Sequence, residues 1–231
     1  MIKPLLNQIY KGFSRESIAQ IYLHGNGIEI GALHNPLAMP RTARAKYVDR
    51  MSVVRLREQY PELKSLKLVP VDIEDDGESL STIQDDTLDF VVANHFIEHC
   101  ENPVAAFSAM FRVLKQGGVL YLAIPDKRYT FDKDRDITPL EHVMKDYQEG
   151  PSWSRTIHFE EFARHALGIH SETEVREKTA HLLQSDYSIH FHVWTQTEML
   201  ELILFLKKML NFEIELFLRN GMEVIFILRK S

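Results

Sequence analysis

The chain has 231 residues, 45% hydrophobic and 26% charged, a globular composition long enough for one sizeable core. The formal net charge is -6 and no run of lysine and arginine forms a stripe, which weighs against nucleic acid and anionic membrane surfaces as partners. A single cysteine, Cys100, excludes an intramolecular disulfide and fits a reducing compartment.

Residues 1–10 lack the apolar core and small-residue cleavage site of a signal peptide. The most apolar stretch, 199–210, contains Glu201, Lys207 and Lys208 and is too short to span a bilayer. A cytoplasmic protein is expected.

Residues 3–22 read as helical. Leu5, Leu6, Ile9, Tyr10 and Phe13 fall at helical spacing, and Ser14 can cap a second helix carrying Ile18, Ile21 and Tyr22. Gly25 and Gly27 break the pattern. Strand runs follow at 27–31 (GIEIG), 45–49 (AKYVD), 66–72 (LKLVPVD, weakened by Pro70), 88–93 (LDFVVA) and 119–124 (VLYLAI). Between the last two, Asn102-Pro103 starts a helix whose apolar face is Val104, Phe107, Phe111 and Leu114, closed by Gly117-Gly118. Residues 126–190 are polar and rich in histidine and aromatics, with helical character at 140–147 and 160–167. A helix over 195–210, capped by Thr195 or Thr197, and a hairpin of 212–218 and 223–228 through Asn220-Gly221 complete the chain. Apolar strands alternating with helices predict an α/β fold: a mostly parallel, seven-stranded sheet with helices on both faces and a C-terminal antiparallel hairpin. The expected organisation is a single domain over 1–231, with N-terminal helices in 1–24 and a mainly helical cap at 126–190 next to the acceptor. The N-terminal helices are candidates for a lid or a homodimer contact.

The carboxyl edge of such a sheet is where ligands bind. Gly31 stands where the first strand turns out, and Asp49, 18 positions on, ends the second, near the ~20 expected of a carboxylate that holds ribose hydroxyls. Asp72 ends the third predicted strand, and Asn94-His95 follow the fourth. No Gly-x-Gly-x-x-Gly follows a strand, which argues against a nicotinamide site.

Residues 88–125, with Glu98-His99, Asn102-Pro103 and the run from Arg112 to Gly118, resemble the central block of the methyltransferase type 11 group within the class I S-adenosylmethionine-dependent methyltransferases. The resemblance extends more loosely over about 25–125 and to the terminal hairpin. It implies a Rossmann-like fold, S-adenosyl-L-methionine as cofactor and methyl transfer to a small-molecule acceptor. A sugar or polysaccharide-precursor hydroxyl is one candidate acceptor, because similar sequences are often encoded with polysaccharide genes. It further implies that Glu29, Gly31 and Ala32 flank the methionine part, Asp49 holds the ribose hydroxyls, Asp72 and Ile73 frame the adenine, and the Asn94 backbone carbonyl meets the amino group. Glu98 and His99 would brace the helix. The loop from Gly31 to Pro36 departs from the family in having one glycine, and Pro36 and Pro40 oppose the usual helix between strands one and two. That departure leaves an alternative reading, a non-catalytic cofactor-binding or assembly protein.

His95, beside the expected acceptor pocket, is the first candidate for a general base, with His190 and His192 as a second pair that share one face of an extended segment. Lys127 and Arg128 are candidates for holding an anionic acceptor, with a solvated charged turn as the preferred reading. Trp153 and Trp194 are read as packing residues. No metal is expected, since no carboxylate or cysteine stands at ligand spacing beside the histidine pair.

Overall fold

The computed structural model describes residues 13–231. The predicted helical positions up to residue 12 lie outside them. Seven strands form one sheet: β1 (Gly25–Ile30), β2 (Ala43–Asp49), β3 (Ile73–Glu74), β4 (Leu88–Asn94), β5 (Leu114–Pro125), β6 (Phe212–Asn220) and β7 (Glu223–Lys230). Their order is β3-β2-β1-β4-β5-β7-β6, parallel throughout except that β7 runs antiparallel to both neighbours.

Alternation in the central strands divides the core into two layers. Val91 and Ala93 of β4, with Leu120, Leu122 and Ile124 of β5, face two helices, Pro103–Val113 and Gln196–Leu206. The first is buried on most sides, is capped by the Asn102 side chain accepting from Ala105 N, and ends at Val113 rather than at the glycines, because Leu114 is already extended. The second carries a Thr195–Glu198 capping box.

Phe90, Val92, Val119 and Tyr121 point to the other face and meet Ile18, Ala19 and Leu23 around α1 (Arg15–Tyr22). Ser14 caps α1 in a reciprocal box with Ser17. No helix forms between β1 and β2, as the prolines predict. Leu37 instead packs under that face, so α1 and this extended crossover cover area that a crossover helix usually covers.

The predicted third strand is displaced. Residues 66–72 form no ladder, and only Ile73 and Glu74 pair with Val48 and Asp49. Pro70 removes a donor, and the Asp72 carboxylate takes the Tyr47 N–H at 2.9 Å where a ladder carbonyl would stand. The hairpin also tightens: Asn220 is paired with Glu223, leaving Gly221 (φ 62°) and Met222 as a two-residue loop.

Between β5 and the Gln196–Leu206 helix lie Leu140–Glu149, Arg155–Glu161 with a π-helical continuation Phe162–Ala166, and Glu172–Gln184. The last was not predicted. It buries only the narrow stripe Val175, Thr179 and Leu182, too sparse to stand out from its charged neighbours. Phe159, Phe162, Leu182, Ile189 and Phe191 give this region a small core of its own.

Candidate functional site

The carboxyl edge of the sheet opens at its switch point, where β1 and β4 are neighbours but their chain successors depart in opposite directions. A cavity of about 700 Å³ lies there, lined by the ends of β1 and β2, the turns after β3 and β4, and residues 186–188 of the cap region.

Each strand contributes one element. Gly31 leaves β1 at φ 64°, and a side chain there would both be strained and project into open space. Asp49 ends β2 with Oδ1 accepting from Arg50 N at 2.8 Å, and burial against the cavity raises its carboxyl to about 6, the Arg50 hydrogen bond and charge only partly offsetting this. After β3, Asp76 and Gly77 form the wall; a Cβ on Gly77 would come within 2.6 Å of the Phe96 ring and 2.7 Å of Ile30. Across the mouth, Asp186-Tyr187-Ser188 forms a strap. Arg50 donates to the Asp186 carboxylate at 2.8 Å, Arg155 to its other oxygen at 2.6 Å, and the Tyr187 ring meets Tyr60 edge-on at 5.2 Å.

His95 leaves β4 at φ 50°, a costly region for a non-glycine residue, fixed by its N–H donating to Ala123 O at 2.8 Å. The turn aims the ring at the cavity with 41% of the side chain exposed. Its Nε2 lies 2.9 Å from Glu223 Oε2, and its Nδ1 lies 3.9 Å from Glu98 Oε1. Burial works to raise the Glu223 carboxyl, but hydrogen bonds from Arg15 and His95 outweigh it and hold it down at about 2. A charged Glu223 fixes the proton on His95 Nε2 and leaves Nδ1 as the acceptor. Glu98 is fully buried, its carboxyl raised by that burial, and neither oxygen has a hydrogen-bond partner. Its backbone carbonyl accepts from Phe191 N and His192 N at 2.8 and 3.2 Å, so it braces the cap segment, while Glu78 takes the N–H groups of Glu101 and Asn102 before the helix.

Of the residues singled out from the sequence, Gly31, Asp49 and His95 come together on this cavity. Asp72 does not: it is exposed and bonded to Tyr47, while Ile73 packs into the core. The acid-glycine pair Asp76-Gly77 stands where that edge was expected, displaced with the strand. The signal for it was the Asp-Asp-Gly turn itself. Glu29 and Ala32 are buried behind the wall. Asn94 ends β4 with both side-chain amide atoms buried and unpartnered. His190 and His192 do not line the cavity. His190 Nδ1 is bound at 2.6 Å to Asp132, itself held by the buried Arg135, and the His192 ring stacks on Trp194. Lys127 is buried on Lys133 O, and Arg128 folds back on Asp126. Sequence reasoning missed Glu223, because its role depends on the hairpin returning to the edge beside β5.

Glu29 Oε1 accepts from Leu37 N at 2.9 Å, pinning the extended crossover, and Oε2 has no partner. Burial raises its carboxyl from 4.5 to about 7, against the lowering effect of the Leu37 bond and Arg15. A raised acid stabilises fully below 4.5 and loses that contribution as pH rises through about 7. Glu29→Gln should therefore abolish a loss on the order of 3 kcal/mol between about pH 4.5 and 7, read from chemical-denaturation curves of both proteins across that range.

The profile of the methyltransferase domain family matches residues 25–122. No curated protein matches the sequence. Among solved structures, a Bacillus halodurans protein is 13% identical, with a TM-score of 0.51 over 94% of this chain and 99% of that one. An S-adenosylmethionine-dependent methyltransferase from Methanosarcina mazei is 18% identical, with a TM-score of 0.49 over 92% and 96%. One from Thermotoga maritima is 16% identical, with a TM-score of 0.48 over 99% and 97%. The first of these shows the fold. Among the described residues no helix is long and apolar enough to cross a membrane. Residues 25–122, which run from β1 into β5, are thus similar to the methyltransferase domain family, and that similarity points to S-adenosylmethionine as the cofactor.

Proposed function

We propose that this enzyme methylates a hydroxyl group of a small, uncharged acceptor such as a sugar or polysaccharide precursor, with Asp49 holding the cofactor ribose and His95 acting as base. The observation that carries this reading is one cavity lined by both residues. The walls fit the cofactor. Gly31 leaves backbone open to it, Asp49 offers a carboxylate, and among the described residues the cavity lining sets Asp49, Glu62, Asp76, Glu78, Glu101 and Asp186 against one arginine, Arg50, which suits a cationic sulfonium. The same balance disfavours a phosphate-bearing acceptor at the cavity. A cytoplasmic setting is part of the proposal, supported by a single, buried thiol.

Bound S-adenosylmethionine supplies an electrophilic methyl carbon. The protein's part is to align the acceptor oxygen with it, a contribution of about 7–11 kcal/mol in well-oriented systems. His95 Nδ1 would take the hydroxyl proton as the oxygen–carbon bond forms and the methyl carbon–sulfur bond breaks, the sulfur leaving as a neutral thioether, and Glu223 at Nε2 would stabilise the resulting imidazolium.

The test is calorimetry with S-adenosylmethionine, followed by a screen of neutral sugars and their glycosides for methyl transfer. Micromolar cofactor binding and a methylated hydroxyl product are expected. Transfer confined to amines or carboxylates would overturn the acceptor class.

A further inference from the structure

Four side chains in the cap region converge away from the cavity. His142 and Asp146 lie one turn apart on Leu140–Glu149, His158 comes from Arg155–Glu161, and His192 from the extended segment leading to Gln196–Leu206. One ligand atom of each lies within 4.8 Å of all the others. His142 Nε2 is 3.0 Å from His158 Nε2 and 3.3 Å from Asp146 Oδ2, and His192 Nε2 is 3.7 Å from Asp146 Oδ2. A tetrahedral ion with bonds of ~2.0–2.1 Å sets its ligand atoms roughly 3.3 Å apart, and these distances bracket that edge.

A network of hydrogen-bonded histidines would satisfy its own polar atoms, and this one does not. Asp146 is fully buried, yet Oδ2 has no hydrogen-bond partner; His192 is buried, and Nε2 also has none. An unpartnered buried carboxylate oxygen is expensive unless a cation faces it. One outer-shell contact is formed, Ser154 Oγ donating to Asp146 Oδ1 at 3.0 Å, and Glu161 stands 3.9 Å from His158 Nδ1, beyond hydrogen-bond distance. The expectation of no metal rested on the spacing around residues 190–192; the carboxylate comes from a helix over forty residues earlier, where the His142-x-x-x-Asp146 spacing is visible.

We infer that His142, Asp146, His158 and His192 form a closed, structural site for one divalent transition-metal ion of the zinc class. Three imidazoles and one carboxylate suit zinc, and four protein ligands leave no position for substrate. The ion would tie two cap helices to the segment that continues through Phe191 and Ser188, both on the cavity wall. It would clamp the cap and take no part in methyl transfer.

Metal analysis of the purified protein should find one zinc per chain. His142→Ala and Asp146→Asn should each lower this to below about a tenth and reduce Tm by roughly 10 °C. Should either variant fail to fold, chelator-treated wild-type protein serves instead. It should take up one equivalent of zinc, and cobalt(II) in its place should give the intense visible bands of tetrahedral coordination. The inference is overturned if stripped protein binds no zinc and its Tm does not rise on zinc addition. It is equally overturned if folded variants keep the metal, which would place it on surface histidines such as His165 or His170, or if cobalt gives only weak octahedral bands.

Discussion

Replacing Asp49 with alanine should weaken S-adenosylmethionine binding about 100-fold while leaving the fold intact. The carboxylate ends β2 at the cavity, where a vicinal diol would find a charged acceptor already oriented by Arg50 N. Hydrogen bonds to a charged group contribute roughly 1.5–3 kcal/mol each, so losing two at the lower end of that range gives a factor of this size. Asp49→Asn keeps the shape and one acceptor and should lose less, about tenfold. Because burial raises Asp49 to about 6, wild-type affinity should fall as pH drops through that value, as the carboxylate becomes protonated. The asparagine variant should lack this dependence. Calorimetry across the range from weakly acidic to neutral pH measures both effects. Unchanged affinity in the alanine variant would remove Asp49 from the cofactor site.

How far the sequence led depended on whether a feature was local. Strands β1, β2, β4 and β5 announce themselves as apolar runs, and Asn102, Ser14 and Thr195 cap helices because capping chemistry acts within three residues. Gly31, Asp49 and His95 were legible because each stands at the end of such a strand, and strand ends share one edge. The third strand failed because a side chain, Asp72, replaced a backbone acceptor, which no periodicity records. Glu223, Asp186 and the His142–Asp146–His158–His192 cluster join residues tens to over a hundred positions apart, and only tertiary packing brings them together. His190 and His192 do share a face with each other's neighbours, but that face turns into the cap, toward Asp132 and Asp146, and away from the cavity.

His95→Ala should lower kcat for a hydroxyl acceptor by about 10²–10⁴-fold, the range of a general base, with cofactor affinity within about threefold of wild type. The argument rests on geometry. The backbone at φ 50° turns the ring into the cavity, and Glu223, held ionised by Arg15, favours the tautomer that leaves Nδ1 unprotonated. An uncharged hydroxyl is a poor nucleophile, so an enzyme that only oriented it would lose little on removal of a nearby imidazole. Glu223→Gln keeps a group of the same shape 2.9 Å from Nε2 but removes the charge that stabilises the imidazolium. It should lower kcat by a smaller factor, about tenfold, with KM for the acceptor unchanged, the mark of an interaction made in the transition state alone. Steady-state kinetics of the three proteins on the acceptor found in the sugar screen decide the matter. Full turnover by His95→Ala would mean that the acceptor loses its proton to water or to another group, and the base would have to be sought elsewhere on the cavity wall.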